Sequence, residues 1–287
     1  MRVFVTGTRG QLGHDVYEEL VRRGHDASGE DIDITDREAV TKAITEGGFD
    51  AVIHCAAKTK VDEAEDPDKE EIFYRTNGDG TGYIAQAVKK TGGKMLYVST
   101  DYVYDGEGDR PMDPDTGNLA PLNVYGKSKL MGETEVRRTL EKYFIVRTQW
   151  VFGVNGNNFV RTMLRLGKEK DELSIVDDQI GTPTYTEDLA RLLVDMIGTE
   201  KYGIYNASNS GGYISWADLA EMVFKIKGFN VKINRITSSE YKSAKAVRPL
   251  NSRLDKSKLE AMGFDALPAW DDALERYLKK IDGSNSL

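Results

Sequence analysis

Only one cysteine, Cys55, occurs in 287 residues, so no internal disulfide can form and nothing points to an oxidising compartment. No apolar run reaches the roughly 18–20 residues that a membrane helix needs. The opening MRVFVTG reads as the start of a strand, without the basic and apolar regions of an export signal. No Lys/Arg-rich run offsets the formal net charge of −8, which argues against a nucleic-acid partner. The three histidines lack a second ligand at helical spacing. His14 falls in a first helix, His25 in a turn and His54 inside a strand, so no metal site is expected. Internal repeats and low-complexity linkers are also absent. These absences leave a cytoplasmic protein that acts on small molecules.

What is present suits a globular enzyme. Hydrophobic residues at 39% and charged residues at 30% are ordinary for a folded chain with a buried core. Short apolar runs at 2–5, 50–56, 94–99 and 143–148, with a weaker one at 25–28, read as strands. Amphipathic segments at 12–23, 36–45, 77–90 and 126–140 read as helices between them. Apolar strands alternating with helices predict an α/β fold, a doubly wound parallel sheet of Rossmann-like type. After Trp150 the pattern loosens. Helices are expected at 158–167, 186–197, 216–227 and 271–281, with strands at 203–207 and 231–236. Thr184 or Thr186 is the expected cap of the second of these helices. The division predicted is 1–150 for a dinucleotide-binding domain and 151–287 for a smaller lobe, with some late segments returning to the first. Residues 283–287 read as a disordered tail. Cys55, in the apolar run 51–57, reads as a small buried thiol.

Three motifs carry chemistry. The first is Gly7-Thr8-Arg9-Gly10-Gln11-Leu12-Gly13, placed between the first strand and the first helix. Gly7 permits a tight turn, Gly10 a close approach of backbone to a pyrophosphate, and Gly13 close packing of the helix. The helix N-terminus adds free N–H donors and the positive end of a dipole. The second motif is Tyr125-x-x-x-Lys129, whose side chains share one helix face while Lys127 turns to another. A phenol titrates near pH 10, and an adjacent ammonium lowers that value into a useful range. The third is Ser99-Thr100-Asp101, at the carboxyl end of a strand, where a hydroxyl can hold a substrate carbonyl. Of the tryptophans, Trp216 and Trp270 read as core or lobe contacts. Trp150 follows the strand that ends beside the cofactor.

With these motifs in order, the sequence resembles the extended branch of the short-chain dehydrogenase/reductase superfamily, and within it the dTDP-4-dehydrorhamnose reductases. The resemblance spans essentially the whole chain. It includes TKVDEAE at 59–65, STDYVY at 99–104, APLNVYGKSK at 120–129 and RTQWVFG at 147–153. GNNFVRTMLRL at 156–166, DDQIGTPT at 177–184 and RPLNSRL at 248–254 complete it.

The resemblance implies a catalytic trio of Thr100, Tyr125 and Lys129. Thr100 would orient a C4 ketone, Tyr125 would donate the proton, and Lys129 would lower the tyrosine pKa and bind the nicotinamide ribose. The product would be dTDP-L-rhamnose. Val61, Asp62, Asp101 and Trp150 would line the sugar site. Asn155, Asn157 and Asn158, with Arg248 and Arg253, would hold the nucleotide diphosphate. Along the cofactor would run Ala56, Ala57 and Lys58, with Asp33 and Ile34 flanking the adenine. The second strand ends at Ser28 where a discriminating acidic residue is common, and Arg9 could reach a ribose 2′-phosphate. That tilts the cofactor toward NADPH and leaves NADH open. Two other readings remain: a nucleotide-sugar epimerase or dehydratase of the same superfamily, and a noncatalytic NADP-binding regulatory subunit. Spacing leaves the oligomeric state open, a homodimer included.

Overall fold

Uninterrupted apolar runs become strands buried on both faces. The computed structural model describes residues 1–284 and begins with β1 (Arg2–Thr6), α1 (Gln11–Arg22), β2 (Asp26–Ser28) and α2 (Arg37–Gly47). β3 (Ala51–His54), β4 (Lys94–Thr100) and β5 (Tyr143–Thr148) follow, with the helices Thr81–Thr91 and Val124–Thr139 on either side of β4 in sequence. A sixth strand, Gly203–Asn206, comes from the C-terminal half and pairs with β5. The sheet order is Gly203–Asn206, β5, β4, β3, β1, β2, and every pairing is parallel.

Helices cover both faces. On one, α1 and the helix Thr186–Ile197 bury Val16, Leu20, Leu189 and Leu193 against Val3, Val5 and Ile53. On the other, α2 and the helices Thr81–Thr91 and Val124–Thr139 bury Val40, Ile44, Ile84 and Val136 against Phe4, Val52 and Met95. Each such aliphatic side chain contributes about 1.5–3 kcal/mol by leaving water. A separate apolar cluster joins Phe152, Val160 and Tyr185 to the helices Trp216–Lys227 and Trp270–Ser284. Trp270 is buried there.

Several boundaries differ from the expected ones for local reasons. The run 50–56 leaves the sheet after His54, so Cys55 to Ala57 turn toward the strand ends. The helix expected from residue 77 opens as a π-helix, Tyr74–Gly80, before becoming regular. Asn123 accepts from Gly126 N and starts the next helix at Val124, two residues early. Neither Thr184 nor Thr186 caps the helix Thr186–Ile197; Tyr185 holds that position without a side-chain hydrogen bond. Gly283 and Ser284 belong to the last helix and are not part of a loose tail, while 285–287 lie outside the described residues. Among the described residues, no helix is long and apolar enough to cross a membrane.

Candidate active site

The sheet reverses direction of growth at β1, which has β2 on one side and β3 on the other. Such a switch point opens a crevice at the carboxyl ends of the strands. Here a cleft of about 560 Å³ occupies that place, well within the size range of small-molecule sites.

The glycine loop forms its floor. Gly7 has φ +73°, and a Cβ there would stand 2.7 Å from the Ala56 nitrogen. A Cβ on Gly13 would stand 2.2 Å from the Gly7 carbonyl oxygen, so the first turn of α1 packs on the loop itself. Gly10 is less crowded from within the protein, its nearest atom being the Gly7 oxygen at 3.2 Å. Gly10 is also the N-cap of α1 and supplies no side-chain acceptor to the helix N–H groups. These donors suit phosphate oxygens.

Of the expected residues, Gly7, Gly10, Gln11, Leu12 and Gly13 line the cleft with Ala56 and Ala57. Val61, Thr100, Asp101, Tyr125, Lys129 and Trp150 line it too. Tyr125 is half-buried, and burial pushes its phenol up to about 12 against the lowering effect of the Thr100 hydroxyl beside it. The Lys129 ammonium donates to Val98 O at 2.8 Å and lies 4.1 Å from the centre of the Tyr97 ring. Burial pulls Lys129 down to about 7, with Glu133 acting in the opposite direction. Asp101 is buried and pushed up to about 6, while Ser252 and Thr100 act to lower it. Ser252 Oγ donates to its Oδ2 at 2.5 Å and Thr100 Oγ1 to its Oδ1 at 3.1 Å.

Other expected residues sit elsewhere. Thr8 donates to Gly29 O at 3.0 Å, and the largely exposed Arg9 pairs with Asp31 at 2.7 Å beyond the end of β2 and Ser28. Asp33 accepts from Thr35 N and Oγ1, which hold its carboxyl below the ordinary range; Ile34 is buried in the core. The backbone of Lys58 is clasped at both ends by the buried amide of Asn77, which also donates to Ser128. None of these side chains lines the cleft.

The second-lobe assignments fare differently. Asn158 caps the helix Phe159–Glu169 and donates to Gln11 Oε1 at 2.9 Å; Asn157 O accepts from Gln11 Nε2 at 3.2 Å. Asn155 Nδ2 lies 3.4 Å from the carbonyls of Arg9 and Gly10. All three therefore fasten the second lobe to the glycine loop. Asp62 and Arg248 form a bidentate pair at 2.7 and 3.2 Å, and Asp62 also accepts from Lys245 N and Ala246 N. Arg253 donates to Asn251 and faces the Tyr213 ring. In each case a protein partner already takes the polar group, and the residue stands outside the cleft lining.

The cleft also holds residues not assigned to it from the sequence, among them Cys55, read there as a small buried thiol, and Trp216, read as a core or lobe contact. Cys55 is half-buried and lines it, its thiol pushed up to about 12 by burial. Tyr102 lines it and packs edge-on to Tyr125. Trp216 lies stacked on Trp150 at 3.8 Å, and Trp150 has φ +46°. Gln149 lines the cleft with neither amide atom hydrogen-bonded to protein. The position of Gln149 directly before Trp150 was the one available signal; Trp216 had none, because its approach depends on long-range packing.

Comparison with known proteins agrees with the geometry. The family model of the RmlD substrate binding domain matches residues 1–282. The dTDP-4-dehydrorhamnose reductase of Streptomyces griseus is 40% identical, over 98% of this chain and 94% of that one. A crystal structure of dTDP-4-dehydrorhamnose reductase from Bacillus anthracis str. Ames in complex with NADP superposes with a TM-score of 0.92. It is 41% identical, covering 97% of this chain and 99% of that one. The dTDP-4-dehydrorhamnose reductase of Clostridium acetobutylicum gives 0.94 at 38% identity, over 98% and 100%. The chain belongs to the family of the RmlD substrate binding domain and the dTDP-4-dehydrorhamnose reductases.

Proposed function

We propose that the protein reduces the 4-keto group of dTDP-4-dehydro-L-rhamnose to give dTDP-L-rhamnose, using NADPH or NADH. The observation that carries this is the convergence of Thr100, Tyr125 and Lys129 on the cleft floored by the glycine loop. Near-full-length relatives of that name support the substrate. In this reading residues 1–150 hold the cofactor, and most of 151–287 shapes the sugar-nucleotide side. The single cysteine suits a reducing cytoplasm.

Gly10 and the uncapped first turn of α1 would hold the pyrophosphate. When bound, the reduced nicotinamide supplies hydride to C4. Tyr125 lines the cleft and is protonated at neutral pH, so it can protonate the O4 alkoxide, a much stronger base, as charge develops. Thr100 orients the same oxygen. Lys129, with one donor on Val98 O, has others for the ribose hydroxyls. Asp101, tied to Ser252 and Thr100, fixes the threonine in place. The NADP held by the Bacillus anthracis relative supports NADPH, and Arg9, paired with Asp31 beside the β2 end, stands near enough to the surface to exchange that partner for a 2′-phosphate.

The test mixes protein, dTDP-4-dehydro-L-rhamnose and either reduced cofactor while nicotinamide absorbance is followed. Stoichiometric consumption with one dTDP-L-rhamnose per cofactor is expected. Tight NADPH binding with no consumption would instead favour a regulatory subunit.

A further inference from the structure

Gln149 follows directly on β5, whose last residue, Thr148, stands in register with Thr100 of β4. Adjacent strands lie about 4.8 Å apart, so the two chains leave the sheet side by side. The glycine loop follows β1, which lies beyond β3 on the other side of β4. The end of β5 is therefore on the far side of Thr100 from the cofactor floor. Gln149 is 2% exposed and lines the cleft, yet neither Oε1 nor Nε2 has a hydrogen-bond partner. Polar neighbours in the same wall are already engaged. Thr100 and Ser252 donate to Asp101, and Trp216 Nε1 donates to Gln179 Oε1 at 3.2 Å.

The second lobe sets where the amide lies. A Cβ on Gly181 would stand 2.4 Å from Gln149 Oε1 and 3.0 Å from Trp150 Cε2, so the bare backbone there leaves room for both side chains. Gly181 belongs to the short strand Ile180–Gly181, which pairs with Ile214–Ser215 immediately before Trp216. The carboxamide thus sits on the second-lobe side of the cleft, next to the stacked Trp150 and Trp216 rings. A neutral carboxamide both donates and accepts. A phosphate oxygen would satisfy only its N–H groups, whereas a hydroxyl answers both atoms. Buried polar groups are almost always paired, which marks this amide as the partner of a ligand hydroxyl.

We propose that Gln149 is a specificity-determining residue that hydrogen-bonds the hydroxyl next to the ketone, on sugar C3. The inference deepens the reductase reading and rests on it. With the C4 oxygen at Thr100, the C3 hydroxyl is the polar substituent beside it, since the other neighbour, C5, carries the methyl group. The step from β4 to β5 is short enough for a threonine on one strand and a glutamine after the next to hold adjacent oxygens of one ring. Gln149 then selects 4-keto sugars that bear a C3 hydroxyl over 3-deoxy ones, because an amide left unpaired in a dry cleft penalises the analogue.

The test compares the full-length wild type with Gln149→Met, which keeps the side-chain length and removes both polar atoms. Turnover is measured as kcat/KM for dTDP-4-dehydro-L-rhamnose and its 3-deoxy analogue. Calorimetry follows binding of dTDP-L-rhamnose and its 3-deoxy counterpart to each protein with NADP. The variant should lose about tenfold or more in kcat/KM and in affinity for the sugars that carry the C3 hydroxyl. The 3-deoxy compounds should be handled alike by both proteins, and NADPH affinity should stay unchanged. The thermal midpoint of the unliganded variant should not fall, because the substitution deletes no hydrogen bond within the protein. An equal loss with both sugars, or no loss with either, would overturn the proposal. Weakened NADPH binding with sugar binding intact would overturn it in favour of a contact with the nicotinamide carboxamide. A wild type that binds dTDP-L-rhamnose but leaves the keto sugar unreduced would count against the reductase reading alone, since the binding arm still decides on Gln149. Failure of the wild type to bind the sugar nucleotide would overturn both.

Discussion

Tyr125 holds its proton at neutral pH yet can give it to an alkoxide, a far stronger base than water. Burial holds the phenol near 12, and Thr100 is the neighbour that eases it. Removing only the hydroxyl leaves the ring and its edge-on contact with Tyr102 intact. Tyr125→Phe should therefore lower kcat by about 10²–10⁴-fold, in line with loss of a general acid. NADPH affinity, read by fluorescence titration, should stay near wild type; wild-type turnover would mean that another group gives the proton. The pair was legible because four-residue helical spacing is a local property. Sequence reveals a charge but not the protein group beside it: Asp62 and Arg248 pair with each other, and Arg253 donates to Asn251.

At the scale of elements, the loop at 153–158 is hooked to the start of α1. Gln11 Oε1 accepts from Gly153 N at 3.0 Å and Asn158 Nδ2 at 2.9 Å, while its Nε2 donates to Asn157 O. One side chain of the glycine loop thereby sets the second lobe against the cofactor floor. Gln11→Ala deletes three hydrogen bonds, together about 1.5–4.5 kcal/mol. We expect a denaturation midpoint lowered accordingly and KM for the keto sugar raised roughly tenfold, with kcat little changed. Unchanged KM would show that the clasp does not set the cleft. This contact joins residues some 140 positions apart, so periodicity could not reveal it. Strands such as β4 and β5 were readable because their apolar runs are continuous. The two-residue pairs around 151 and 184 were not, being too short to leave a pattern.

For the whole molecule, the parallel sheet gathers the glycine loop, the Ser99–Asp101 turn and the Trp150 turn at one edge of the fold. The order of motifs along the chain, read with the rule that ligands bind at carboxyl ends of strands, made this cleft predictable. The return of Gly203–Asn206 to the sheet and the stacking of Trp216 on Trp150 depend on tertiary packing. The central claim is that this cleft delivers hydride to C4 of a nucleotide-linked ketone. Its most direct test is turnover of dTDP-4-dehydro-L-rhamnose with NADPH carrying deuterium at the transferable nicotinamide position. The account predicts one deuterium at sugar C4 for each NADPH consumed. A sugar product without deuterium at C4, formed while the NADPH stays intact, would contradict it.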